Sequence, residues 1–460
     1  MFFNQSKKFK YSLLTINLQK ILLKVISVFK KAPIYILSLN ATTLTEFLYQ
    51  KLIIVFQWFM RVGAGFSNKL KLGYEGRKGL LEELEMTFDS LSNGRQVAWF
   101  HAASLGEFEQ GRPVIEDFRK AFPNHFILLT FFSPSGYEIR KNYAGVDYIC
   151  YLPIDTQVNA ERFVKIIKPQ IVFFIKYEFW FNYLRELRRS GAVILSFSTI
   201  FRPGQIFFKF YGGFYAQMLT YFDHILVQNQ ESLDLMKTIG IHQISLAGDT
   251  RFDRVKTIAD HVRDLPVIAG FVNQASCLVA GSVWETDMQV LIPAINAVEN
   301  SIKVIIAPHE IKRDEIAGWR EKLSGKSILY SEYEKKPGGN YDILIIDNIG
   351  MLSSLYRYGD MAYIGGAFGS GLHNILEAAT FGLPIIFGNK SYSKFQEAKD
   401  LIAEGGAWAV PGSEEIVRLI DSWCFDQERR AKAGAINKNY VQSKTGASSM
   451  VMEEVKKRLQ

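Results

Sequence analysis

From residue 97 onward the chain alternates short, continuous apolar runs with amphipathic segments, and it does so twice. The first set of runs lies at 97–100, 126–130, 148–152, 171–175, 193–196, 225–227 and 244–247, with helix-like stretches such as 159–167 and 179–190 between them. A strand that is apolar at every position must be buried on both faces, as in a parallel sheet covered by crossover helices. The alternation lapses in a polar stretch at 253–274. It resumes with runs at 278–280, 304–306, 343–346, 361–364 and 385–387, separated by helical stretches at 287–298, 311–323, 352–358 and 374–381. The pattern predicts two doubly wound α/β domains joined by a linker, and ligands in such sheets bind beyond the carboxyl ends of the strands. With 460 residues the chain has enough material for more than one core.

An apolar fraction of 48% against 22% charged excludes a disordered chain. Cys150, Cys277 and Cys424 lie too far apart for a disulfide framework or a metal-ligand spacing, and none of the 7 His forms an HExxH-like pair, so no metal site is expected. The net charge of +8 is uneven: residues 1–78 hold 13 Lys and Arg against Glu46 and Glu75, a net of +11, which leaves −3 for the rest. The basic end is therefore no nucleic-acid-binding body. It is apolar as well. The run LIIVFQWFM at 52–60 is flanked by Lys51, Arg61, Lys69, Lys71, Arg77 and Lys78. That run is shorter than the roughly 20 residues that span a bilayer. Residues 11–29 mix Leu and Ile with Lys20 and Lys24 and lead to no clear cleavage site. The pattern suits a helix lying in the interface of an anionic leaflet; the alternative is a core helix with a solvated tail.

Residues 101–113 read HAASLGEFEQGRP. Ser104 and Glu107 fit the S-x-x-E capping box at a strand-to-helix turn. Residues 362–388, AYIGGAFGSGLHNILEAATFGLPIIFG, carry a strand into a glycine-rich turn and a helix opening near Asn374, with Glu377 one turn inside. Glycines let a ligand approach the backbone, and a helix N-terminus favours anions. The spacing is not GxGxxG, which disfavours nicotinamide and flavin. Further candidates sit at strand ends: Ser282 after Ala280-Gly281, Pro308-His309, Gly350-Met351-Leu352, and Lys176-Tyr177-Glu178-Phe179-Trp180. Arg251 lies in GDTRFD at 248–253, where the first domain meets the linker.

Through these motifs the chain resembles the 3-deoxy-D-manno-octulosonic acid (Kdo) transferases. The resemblance runs from about residue 44 to the end and is carried by HAASLGE at 101–107, YEFW at 177–180, QNQES at 228–232, GDTRFD at 248–253, GSVWE at 281–285 and GGAFGSGLHNILEAA at 365–379. It implies a GT-B fold, two Rossmann-like domains facing a cleft, with an N-terminal membrane-associating helical segment. The expected division is a membrane-associating segment over 1–76, an acceptor domain over 77–252, a linker over 253–274, and a donor domain over 275–460 that includes a terminal helix at 428–460. The implied reaction is inverting transfer of Kdo from CMP-Kdo to a lipid A precursor, without metal or cofactor, at the cytoplasmic face of the inner membrane. Glu107 matches the general base, and Glu178 and Arg251 match positions that stabilise the transition state. Pro308, His309, Gly350, Met351, Leu352, Asn374, Ile375, Leu376 and Glu377 match CMP contacts, and Ser282 suits the leaving phosphate.

The sequence also departs from the family pattern. Lys176 stands where the family often has the first glutamate of Glu-Thr-Glu-Leu-Trp, Arg251 where Lys is common, His309 for a frequent Arg, and Met351 for a frequent Glu. Three other readings are a different GT-B glycosyltransferase using another nucleotide sugar, a nucleotide-sugar epimerase on the same two-domain fold, and a catalytically silent membrane-bound nucleotide-binding protein. The sequence sets neither the oligomeric state nor the number of Kdo units added.

Overall fold

The computed structural model describes residues 41–298 and 302–459, so the apolar stretch expected at 11–29 lies outside the described residues. The chain divides into two units: residues up to Asp253 together with those from Gly446 onward form one, and Arg254–Thr445 forms the other.

The first unit is built on seven parallel strands: β1 (Val97–Ala102), β2 (Phe126–Phe131), β3 (Tyr148–Tyr151), β4 (Pro169–Ile175), β5 (Val193–Thr199), β6 (His224–Val227) and β7 (Ile244–Leu246). Their order is β3-β2-β1-β4-β5-β6-β7, so the chain winds outward in both directions from β1 and β4. The period-2 geometry of a strand divides its side chains between the two faces. Val97 and Trp99 join one buried cluster, while Ala98, Phe100 and Ala102 join the other. In β4, Val172 and Phe174 face the first cluster and Ile171, Phe173 and Ile175 the second. Every residue of β1 is buried, which is why the run is apolar throughout.

The second unit repeats the plan with β8 (Cys277–Val283), β9 (Lys303–Pro308), β10 (Ser327–Leu329), β11 (Ile343–Ile345), β12 (Met361–Ile364), β13 (Ile385–Gly388) and β14 (Ala407–Val410). The order is β10-β11-β9-β8-β12-β13-β14. β10 and β14 are not among the expected strands. They are the two sheet edges and are only partly buried.

Three expectations about domain limits are corrected. The segment 1–76 is not a separate body as far as it is described. Helix Ala41–Gly63 buries Tyr49, Ile53, Phe56 and Met60 in the core of the first unit, a spacing that forms one helical face. The polar stretch at 253–274 is largely helical, as Thr250–Asp260 and Pro266–Val272. It reads as polar because Phe252 and Val255 are the only side chains its first helix buries fully among hydrophobic residues. The terminal helix does not belong with the donor unit. It is two helices, Gln427–Ser443 and Ala447–Leu459, separated by Gly446 at φ 112°, a left-handed backbone that favours glycine. The second of these places Val451, Met452 and Val455 in the core of the first unit, beside Phe108, Ile115 and Phe118.

Candidate functional site

Each unit gathers its candidate residues at the carboxyl edge of its own sheet. In the first, β1 ends at Ala102 and helix Leu105–Ala121 begins two residues after Ala103, with Ser104 in extended backbone at the N-cap position. Ser104 makes no side-chain cap. Its Oγ instead donates to Glu107 Oε2 at 2.8 Å. Only the Ser104 arm of the capping box is therefore missing, its hydroxyl proton being directed at the carboxylate, while Glu107 still takes the Ser104 backbone N–H. Burial, and next the negative charge of Glu178, push Glu107 up to about 7, against the lowering effects of Ser104 and of the Lys176 charge.

Glu178 follows β4 and is 6% exposed. Its Oε2 accepts from Trp180 Nε1 at 2.7 Å and meets His101 Nε2 at 3.2 Å. His101, at the end of β1, is fully buried and lies 2.8 Å through Nδ1 from Thr130 Oγ1. Thr130 Oγ1 also accepts from Trp99 Nε1 at 2.8 Å. A carboxylate only accepts, so His101 donates to it through Nε2; in the neutral ring with that tautomer Nδ1 accepts the Thr130 hydroxyl proton, while Thr130 Oγ1 accepts from the indole. Two N–H groups thus hold Glu178 Oε2.

Arg251 is tied to Asp249 by Nε to Oδ2 at 2.8 Å and by its backbone N–H to Oδ1 at 2.9 Å. Gln110 Nε2 donates to the same Oδ1 at 3.1 Å. Burial alone would raise the pKa of Asp249, but the charge and hydrogen bonds of Arg251 outweigh it and hold the group low. The three expected catalytic positions of the first unit therefore share one sheet edge. Electrostatic coupling joins Glu107 to Glu178 directly, and links both Glu107 and Arg251 to Lys176.

In the second unit Ser282 sits on a bulge where the β8–β9 register shifts, at φ 52°. The backbone presses close there: a Cβ on Gly365 would stand 2.2 Å from Ser282 O, so only glycine fits. His309 N donates to Val283 O at 2.9 Å, which lays the Pro308-His309 turn against that bulge. Gly350, at φ 97°, and Met351 lead into the short helix Leu352–Leu355. Leu352 packs beside Gly281, where a Cβ would come 2.9 Å from its Cδ1. Glu377 accepts from Ser353 Oγ at 2.8 Å and from Asn374 Nδ2 at 3.2 Å.

The helix expected from Asn374 is shorter than the sequence suggests. It covers Leu376–Ala379, and Asn374 Oδ1 already accepts the Leu376 N–H at 3.2 Å. Ile375 and Leu376 are buried in the core, so neither offers a side chain to a ligand.

Sequence reasoning missed a stack of three rings beside these loops. Trp284 Nε1 donates to His373 Nε2 at 2.8 Å, and His309 lies 4.3 Å from each of the two rings, at 29° and 24°. Burial, and then the charge of His309, push His373 down to about 4. The neutral ring is the form that can accept the indole proton. Asp287, fully buried, accepts the backbone N–H groups of Trp284 at 2.9 Å and Gly366 at 2.8 Å, and Tyr363 Oη–H at 3.0 Å. It fixes the glycine-rich turn to the start of helix Glu285–Ala297. Trp284 and His373 were visible within GSVWE and GGAFGSGLHNILEAA; no spacing rule pairs residues 89 positions apart. Among the described residues no group of three or more His, Cys, Asp or Glu gathers as a metal ion would require.

Residues 75–254 match the family described as 3-Deoxy-D-manno-octulosonic-acid transferase (kdotransferase). The 3-deoxy-D-manno-octulosonic acid transferase of Aquifex aeolicus is 26% identical over 336 residues, covering 72% of this chain and 86% of that one. The enzyme of the same name from Chlamydophila psittaci is 28% identical over 359 residues, covering 73% and 79%. In structure the chain is similar to UDP-GlcNAc 2-epimerase from Neisseria meningitidis, with TM-score 0.56 over 79% of this chain and 100% of that one. At 11% identity that likeness is one of fold alone. The chain is thus similar to the Kdo transferases across most of its length, and its two parallel-sheet units have the GT-B fold.

Proposed function

We propose that the chain transfers Kdo from CMP-Kdo to a lipid A precursor with inversion, and that Glu107 is the general base. The observation that carries this reading is the Glu107 carboxylate, half-buried in the first turn of the helix that follows β1 and pushed up to about 7. A sugar hydroxyl is far too weak an acid to react unaided near neutral pH. A base whose pKa lies near the working pH is both ionised in good part and strong enough to take the proton as the new C–O bond forms. Glu178, held by His101 and Trp180, places a second negative charge where the sugar becomes cationic. Arg251 offers a charge to the departing phosphate, and the Asp249 bonds keep its guanidinium in place. The loops carrying Ser282, Pro308, His309, Gly350, Met351, Leu352, Asn374 and Glu377 would hold the CMP group, chiefly through backbone where Ile375 and Leu376 turn inward. The reaction so described needs no cofactor and no metal.

The acceptor is a membrane lipid, and the reading places the chain on the cytoplasmic face of the inner membrane. Helix Ala41–Gly63 supports this. Opposite its buried stripe it exposes Phe47, Ile54, Val55, Trp58 and Phe59, with Lys51 and Arg61 also exposed. Among the described residues no helix is long and apolar enough to cross a membrane, which suits peripheral attachment.

The test is mass spectrometry of the products formed from CMP-Kdo, generated in place, and a tetra-acylated lipid A precursor. A product heavier by one or more Kdo units is expected. Hydrolysis of CMP-Kdo with an unchanged lipid would sink the assignment of acceptor.

A further inference from the structure

The chain leaves β4 through Lys176, whose backbone is left-handed at φ 71°, a region that residues with a side chain rarely adopt. Its N–H is anchored to Phe197 O at 3.0 Å. Strain of this kind persists where the surroundings enforce it, and it concentrates at binding and catalytic positions. The turn aims the lysine into the cluster of Glu107, Asp249, Arg251 and Arg202, each of which acts electrostatically on its ammonium group.

None of those groups pairs with it. Among the described residues Lys176 Nζ makes no hydrogen bond and no ion pair; it lies over the Tyr177 ring, 5.5 Å from the centroid, and that ring's hydroxyl is the one Arg202 reaches. The carboxylates nearby are engaged elsewhere, Asp249 by Arg251 and Gln110, and Glu107 by Ser104. Arg202 donates through Nη1 to Tyr177 Oη at 3.2 Å and adds its own positive charge. Burial, and then the charge of Arg251, lower the pKa of Lys176, more than Asp249 and Glu107 restore it. Three cations thus converge on one strand end, and the least exposed counter-charges already serve other donors. Such a cluster is stabilised by an anion that arrives with a ligand.

We propose that Lys176 is an anion-binding residue of the acceptor subsite and contacts a phosphate group on the glycolipid acceptor. This rests on the reading of Glu107 as the base that receives the acceptor hydroxyl. Lys176 lies on the same unit as Glu107 and within its electrostatic reach, whereas the loops assigned to the nucleotide belong to the other unit. The ammonium would orient the acceptor by one charged contact while its hydroxyl meets the carboxylate.

The experiment compares wild type with Lys176→Met and Lys176→Glu on two acceptors, the phosphorylated lipid A precursor and the same lipid after phosphate removal. Methionine keeps the length and removes the charge, and thermal unfolding checks that each variant folds. Lys176→Met should raise KM for the phosphorylated acceptor by about tenfold, the usual scale for one charged hydrogen bond. Lys176→Glu should raise it further. With rates taken well above the acid limb, at about pH 8.5, where Glu107 is ionised in wild type and variants alike, KM for CMP-Kdo should stay within about twofold, and the variants should lose far less on the dephosphorylated lipid than on the phosphorylated one. Equal losses on the two acceptors, a rise in KM for the donor instead, or no change at all would overturn the assignment. Direct binding of the two lipids without donor separates this from the underlying reading. If wild type binds but does not turn over, the catalytic reading fails while the Lys176 comparison still decides; if it turns over and Lys176→Met matches it, only Lys176 is removed.

Discussion

Ser104 Oγ donates to Glu107 Oε2 at 2.8 Å, so the residue placed to cap the helix instead steadies a carboxylate. Glu107→Gln keeps the shape and the hydrogen-bonding reach but cannot take a proton. Transfer should fall by roughly 10²–10⁴-fold, the usual range for loss of a general base. The circular dichroism spectrum should not change. Near-normal turnover in this variant would return Glu107 to a purely structural role.

The acid side of the pH profile should report the same group. Glu107, raised to about 7, is protonated below that pH and loses its function as a base, so kcat/KM should drop as pH falls through 7. Part of that elevation comes from the charge of Glu178. Glu178→Gln removes the repulsion, so the acid limb should move to lower pH even as the maximal rate declines. Lys176→Met acts in the opposite sense, since its charge lowers Glu107, and should move the limb upward. A limb that stays in place in both variants would show that another group controls it.

His101 touches no proposed substrate position but holds Glu178 through Nε2, backed by Thr130 and Trp99. His101→Phe fills the space and removes the bond. A misplaced carboxylate should cost about 10²-fold in kcat, with little change in KM for the donor. His101→Gln, able to donate from a similar distance, should recover part of the rate. If both variants lost only stability and kept kcat, the contact would be structural.

His373→Phe keeps the stacked ring and leaves Trp284 Nε1 without its acceptor. An unpaired buried donor costs about 1–3 kcal/mol, so Tm should fall. The rise in Tm produced by CMP should shrink as well, because the ring stack lies against the Pro308-His309 turn. A CMP effect of wild-type size would separate the stack from nucleotide binding.

The two faces of helix Ala41–Gly63 predict different failures. Trp58→Glu with Phe59→Glu, both on exposed positions, should reduce co-sedimentation with anionic vesicles and leave Tm unchanged. Ile53→Glu, on the buried stripe, should destabilise the first unit by several kcal/mol. Removing the helix altogether is a poor test, since Tyr49 Oη also donates to the buried Asp155 at 2.5 Å.

The strand pattern was legible because burial on both faces writes itself into consecutive apolar residues, as in residues 97–100 and 171–175. Glu107, Glu178 and Arg251 could be picked out because strand ends and motif resemblance mark them. What escaped depends on long-range geometry. Nothing in the sequence joins His101 to Glu178 or Trp284 to His373, and the left-handed turn at Lys176 has no glycine to announce it. The polar stretch after residue 253 reads as a linker because helix Thr250–Asp260 buries few side chains. The terminal helix follows the second unit in sequence yet packs on the first, since position along the chain is a poor guide to packing.

That last helix changes what kind of object the second unit is. Asp253 accepts the backbone N–H of Gly446 at 2.6 Å and both the N–H and hydroxyl of Ser448, at 2.7 and 2.8 Å. The outgoing and returning chains are therefore fastened to one another by a single carboxylate, and Arg254–Thr445 is an insert within a host that closes without it. A stop codon shortly after residue 445 would spare the insert and strip Val451, Met452 and Val455 from the host core. Conversely, a different insert spliced at the same two points would meet a host whose core clusters draw on no residue of the exchanged segment.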